Sequence, residues 1–114
     1  MYFVYILRCC DGTLYTGITT DVKRRLKEHL GEGGKGAAYT RMKPPTAVEA
    51  VFSCEGRKDA SKLEYYVKRL KKAEKEALIA APETLDRLIP KLDCSLFTPV
   101  TDISAFSDGS FGDT

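Results

Sequence analysis

Residues 14–29 read LYTGITTDVKRRLKEH, and the fold turns on how this stretch is parsed. It predicts a strand entering a Gly17-Ile18-Thr19-Thr20 turn, then Asp21 at an N-cap position, then a short basic helix with Val22, Leu26 and Leu30 four residues apart. Stepping about 100° per residue from Val22 puts Arg25 and His29 at roughly −60° and −20°, side by side along one edge of the apolar stripe. A half-buried polar site belongs on such an edge. Lys23, Arg24, Lys27 and Glu28 have no such placement and read as solvated or phosphate-facing.

Upstream, Tyr2 to Arg8 (YFVYILR) is β-branched and aromatic, without polar alternation, which predicts a strand buried on both faces. Asp11-Gly12 supplies a hairpin turn, with the return strand over Thr13 to Ile18. Two registers are open. A two-residue loop sets Tyr15 opposite Arg8 and sends Tyr5 and Tyr15 to opposite faces. A three-residue loop, Cys10-Asp11-Gly12 with Gly12 left-handed, sets Tyr15 opposite Leu7 and puts both tyrosines on one face.

Downstream, Gly31 to Pro45 is a Gly- and Pro-rich loop with basic points at Lys35, Arg41 and Lys43, suited to pressing on a nucleic-acid backbone. Its Gly-Gly-Lys lacks the spacing of a phosphate-binding loop. Thr46 to Cys54 reads as a third strand. Helix signals resume at Asp59 or Ser61, with Leu63, Tyr66, Val67 and Leu70 as the buried stripe. Glu64 falls about 100° from Leu63, beside the stripe, where it can also pair with Lys68 at i,i+4. Lys68 to Lys72 adds four positive charges at a helix end, and Ala73 to Ala81 continues or restarts a helix that Pro82 ends.

A chain of 114 residues is one small domain. Residues 1–80 hold 16 Lys and Arg against 10 Asp and Glu, whereas residues 81–114 hold 2 against 6, so a basic body precedes an acidic end. Such a body attracts an anionic partner. The expected organisation is a folded basic domain over 1–81, a short helical extension over 82–90, and a flexible acidic tail over 91–114 whose Leu96, Phe97 and Phe106 could pack on the body or a partner. No apolar run spans a membrane and no secretory leader is evident, which predicts a cytoplasmic protein. Cys9, Cys10, Cys54 and Cys94 show no CxxC spacing and read as free thiols, not as a zinc site.

Taken together, Phe3-Val4-Tyr5, Tyr15-Thr16-Gly17, Arg25, His29 and Glu64 resemble the GIY-YIG nuclease family, most closely its short single-domain bacterial members, related to excision-repair and homing endonucleases. The likeness runs from Tyr2 to about Ala80. Phe3 stands where the family name has Gly, Thr16 replaces the middle Ile, and the chain contains no Asn.

The resemblance implies an α/β (α+β) fold with a three-stranded antiparallel sheet flanked by helices, and it favours the register that pairs the tyrosines. It also implies a metal-dependent endonuclease hydrolysing DNA, branched, damaged or single-stranded, with RNA left open. Glu64 would hold Mg²⁺ or Mn²⁺, Arg25 the non-bridging oxygens, Tyr5 the role of base assisted by His29, Tyr15 the orientation of water or phosphate, and Gly17 a close backbone turn. Lys23, Arg24, Lys35, Arg41, Lys43 and Lys68 would attract the nucleic-acid backbone. With no appended targeting domain, substrate choice would fall to the basic loop, a homodimer or a protein partner. The competing reading is a non-catalytic nucleic-acid-binding module on the same fold.

Overall fold

A computed structural model of the chain describes residues 1–29 and 44–101. The basic loop points Lys35, Arg41 and Lys43, together with Leu30, lie outside the described residues.

Strands β1 (Tyr2–Cys9) and β2 (Leu14–Thr19) form the hairpin, followed by helix α1 (Val22–His29) and strand β3 (Pro45–Cys54). Gly12 has φ 84, and the Cys9 amide donates to the Thr13 carbonyl at 2.8 Å. This closes the three-residue loop, so Leu7 pairs with Tyr15 and Tyr5 with Gly17. The register left open by the sequence is therefore the one that puts both tyrosines on one face. Asp21 caps α1 as expected, its carboxylate accepting from the Arg24 amide at 3.1 Å. The expected Gly17 to Thr20 turn is shorter than predicted: β2 runs on through Thr19, because Phe3 and Val4 continue to pair with Thr19 and Ile18.

β1 is central and nearly sealed, with Val4, Tyr5, Ile6 and Leu7 all at most 1% exposed. Alternation splits their side chains between two cores. Val4 and Ile6 face helix α2 (Arg57–Arg69) and meet Ala60, Leu63 and Val67. Tyr5 and Leu7 face α1 and meet Val22, Leu26, Val48 and Val51. Helix α2 begins two residues before the earliest expected start, since Gly56, in extended conformation, offers its carbonyl to Ala60 at 3.1 Å. The chain breaks at Leu70 and restarts as α3 (Lys72–Ala80), where the Glu74 carboxylate accepts from the Lys71 amide at 2.8 Å. Arg8 pins α3 to the hairpin, its guanidinium meeting both Glu76 oxygens at 2.8 and 2.6 Å.

The sheet has four strands, not the expected three, in the order β2-β1-β3-β4, the last being Thr98–Pro99. After a short helix α4 (Leu85–Leu88), residues 91–101 pack on the body in the region expected to begin a flexible tail. Leu92 and Phe97 are buried in the α2-side core, and β4 (Thr98–Pro99) pairs with Phe52 and Ser53. Two residues, one of them Pro, carry no strand periodicity, yet Pro is tolerated on an edge strand.

Thr16 pairs with Ile6 and so faces α2, and its hydroxyl is buried without a hydrogen-bond partner among the described residues. Thr16→Val keeps the shape and removes the orphaned hydroxyl. The expected result is a gain of about 1 kcal/mol in urea denaturation. A loss of stability would show that the hydroxyl is satisfied in solution.

Candidate active site

The hairpin register and the end of α1 bring four side chains onto one face of the sheet. Tyr5 is 1% exposed, and a phenol hydroxyl at that depth requires a partner. His29, the last residue of α1, supplies it: Tyr5 Oη lies 2.8 Å from His29 Nε2. Tyr15 completes the cluster, with ring centroids 6.5 Å from Tyr5 and 5.1 Å from His29, the latter edge-on. Gly17 lies directly beneath. A Cβ there would fall 2.6 Å from Tyr5 Cζ and closer still to the hydroxyl. Gly17 is thus demanded by the phenol laid across it, within a strand, and not by the backbone turn first assigned to it.

Arg25, one turn before His29, is half-buried and donates to the Glu28 carboxylate at 3.1 Å. Glu28, expected in solvent, is itself half-buried and pairs with the guanidinium. Its spacing of three from Arg25 was the available signal. Burial pushes the Tyr5 hydroxyl well above its ordinary range, and the neighbouring Arg25 guanidinium partly opposes that rise. Burial, reinforced by the Arg25 charge, lowers His29 to about 4 despite the opposing Glu28. His29 is neutral at pH 7. Arg25 can only donate to the Tyr5 oxygen, whereas Nε2 of the neutral imidazole accepts from Tyr5 or donates to it according to the tautomer.

Glu64 arrives from the other side. Its helix, α2, covers the opposite face of the sheet, where β2 is the edge strand. The Glu64 charge is the smallest of the influences that hold Tyr5 protonated. The carboxylate is 25% exposed and meets the exposed Lys68 ammonium at 3.4 Å, so the i,i+4 pair is formed. Among the described residues no three His, Cys, Asp or Glu side chains gather into a chelate. Any cation here would rest on Glu64, water and substrate, a regime Mg²⁺ accepts. Lys23 and Arg24 are exposed on the outer side of α1. No helix among the described residues is long and apolar enough to cross a membrane.

Comparison with known proteins adds an independent line. The family described as "GIY-YIG catalytic domain" matches residues 1–77. A UPF0213 protein of Desulfotalea psychrophila is 48% identical over 82 residues, covering 72% of this chain and 74% of that one. A second, from Halobacterium salinarum, is 46% identical over 78 residues, covering 68% and 99%. The solution NMR structure of a UPF0213 protein from Bacillus halodurans is 41% identical and covers 82% of this chain and 98% of that chain, with a TM-score of 0.47.

The lowered His29 value has a thermodynamic consequence. The unfolded chain takes up a proton below its ordinary value near 6.5, whereas the folded chain resists until about 4. The His29 contribution to stability therefore falls as pH drops through that window, by about 3 kcal/mol, and levels off below it. Urea denaturation from pH 7 to pH 4, compared with His29→Gln, isolates the contribution: the variant should show the shallower loss. Parallel profiles would mean that His29 titrates alike in both states.

Proposed function

This chain belongs to the GIY-YIG family, and from that membership and the site geometry we infer that it is a metal-dependent endonuclease hydrolysing phosphodiester bonds of DNA. One observation carries the reading: a buried tyrosine hydroxyl is bonded at 2.8 Å to a neutral histidine, with an aimed arginine beside it. A structural tyrosine needs only a backbone carbonyl. A phenol joined to an unprotonated imidazole, under a guanidinium, is a proton path next to an anion-binding group.

In this reading the scissile phosphate sits against Arg25, whose forked donors stay charged and are held by Glu28. Tyr5 takes a proton from the attacking water as its own proton passes to His29 Nε2. No standing phenolate is required, which suits a hydroxyl that burial keeps protonated. The imidazolium formed on His29 is short-lived, because burial and Arg25 favour the neutral ring. Tyr5 and His29 then share the base role, and the question of which one acts directly becomes one of proton position along a single hydrogen bond. Tyr15, edge-on to His29 and half-buried, orients water or phosphate. Glu64 is the residue that would hold a divalent cation such as Mg²⁺ or Mn²⁺, displacing Lys68. When bound, the cation would stabilise the leaving oxygen and the charge on the reacting phosphorus. Lys23, Arg24 and Lys68, with Lys35, Arg41 and Lys43 of the loop, would add general attraction to the backbone.

The test is cleavage of labelled single-stranded, duplex and branched DNA, with RNA alongside, in Mg²⁺, Mn²⁺ or EDTA. Arg25→Ala and Glu64→Ala are each expected to lower the rate by about 10²- to 10³-fold, and Tyr5→Phe by about 10²-fold or more. EDTA should abolish the activity. Cleavage that persists in both alanine variants, or that ignores EDTA, contradicts the mechanism. Salt-sensitive binding without cleavage under any condition would favour the non-catalytic module.

A further inference from the structure

The outward side of α2 carries a feature that the proposed reaction does not use. Lys58, Lys62, Tyr65 and Arg69 follow one another at intervals of four, three and four residues. On a helix these positions fall within about 60° of each other, roughly opposite the buried Leu63 and Val67, and run along about 16 Å of its length. None of the three cations forms an ion pair among the described residues; the ion pair of this helix joins Glu64 and Lys68 on the adjoining side.

A solvated helix face accounts for lysines, but not for the aromatic ring among them. Tyr65 is 53% exposed. It is nonetheless held in place. The Arg69 guanidinium carbon sits 4.8 Å from its centroid, and Tyr66 meets it edge-on at 5.3 Å. The ring borders an open depression lined by Arg57, Lys58, Ser61, Lys62 and Tyr66. On its other side a second depression continues past Arg69 and Pro90 to Lys91. A fixed, exposed ring between a hollow lined by Arg57, Lys58 and Lys62 and one lined by Leu70, Leu88 and Ile89 together with Arg69 and Lys91 offers a flat surface whose use costs little side-chain entropy.

We propose that this stripe is a binding track for single-stranded nucleic acid, in which one unpaired base stacks on Tyr65 while Lys58, Lys62 and Arg69 contact the flanking phosphates. Stacking requires a base released from pairing, so the ring distinguishes single strand from duplex, whereas the cations attract both. Glu64 precedes Tyr65 on the same rigid helix. A strand that crosses α2 from Tyr65 toward Glu64 is thereby delivered to the reacting centre, and cleavage would occur beside an unpaired segment. The proposal rests on a nucleic-acid substrate, but not on turnover.

Fluorescence anisotropy with a labelled oligothymidylate and a matched duplex, both in EDTA, tests it without any requirement for cleavage. Tyr65→Ala should weaken single-strand binding about tenfold or more while leaving duplex affinity nearly unchanged, and Tyr65→Phe should bind as the parent does. Replacing Lys58 and Lys62 together by Ala should flatten the salt dependence for both ligands. Unchanged oligothymidylate affinity in Tyr65→Ala, or an equal loss for single strand and duplex, would overturn the track. Because metal is withheld, a protein that never cuts DNA can still support or refute it.

Discussion

The hydrogen bond between Tyr5 and His29 is the constraint on which the rest of the arrangement depends. Tyr5 sits on the central strand with about 1% of its surface exposed, so its hydroxyl needs a partner within the protein. That requirement propagates outward. The strand beside it must carry Gly17, because any Cβ would collide with the phenol. The hairpin must close through the left-handed Gly12, because the alternative register would send Tyr15 to the other core. Helix α1 must run so that its last residue, His29, ends over the ring, and the Asp21 cap fixes where it begins. The same burial sets the chemistry, raising the phenol and lowering the imidazole so that one proton lies between two neutral groups.

The site straddles a sheet edge. Tyr5, Tyr15, Arg25 and His29 belong to the face covered by α1, and Glu64 belongs to a helix packed on the other face. β2 is the outermost strand, and in the proposed mechanism Glu64 reaches the α1 side past that edge. The division also separates charges by role. Arg25 is partly buried and braced by Glu28, which fits it for one defined contact, whereas Lys23, Arg24, Lys58 and Lys62 stand in solvent and suit diffuse attraction.

Much of this was legible in the sequence, and the boundary between what was and was not is physical. The β-branched run of Tyr2 to Arg8, the Asp21 cap and the stripe of Leu63 and Val67 declare their elements through local periodicity. Arg25 and His29 could be placed together because helical spacing alone sets their neighbourhood. The hairpin register could not be decided locally, since both loops obey turn rules; the burial of Tyr5 over Gly17 selects between them. β4 escaped notice because two residues have no period, whereas Phe97, an apolar residue in a polar stretch, could be singled out for packing and is buried in the α2-side core. Gly17 invited a turn reading because glycine usually signals one, whereas here it marks a close approach of a ring. Tyr65 lies off the buried stripe, so its significance depends on Arg69, Tyr66 and the exposed lysines around it.

The most direct test of the central constraint uses the fact that the chain has a single histidine. A pH titration of its side-chain nitrogens by NMR reports both the protonation midpoint and the tautomer without assignment ambiguity. Here the expected result is a midpoint displaced to about 4, with the proton on Nδ1 and Nε2 unprotonated above it. A midpoint near the ordinary 6.5, or a neutral ring protonated at Nε2, would contradict the account. Tyr5 would then not be handing its proton to His29.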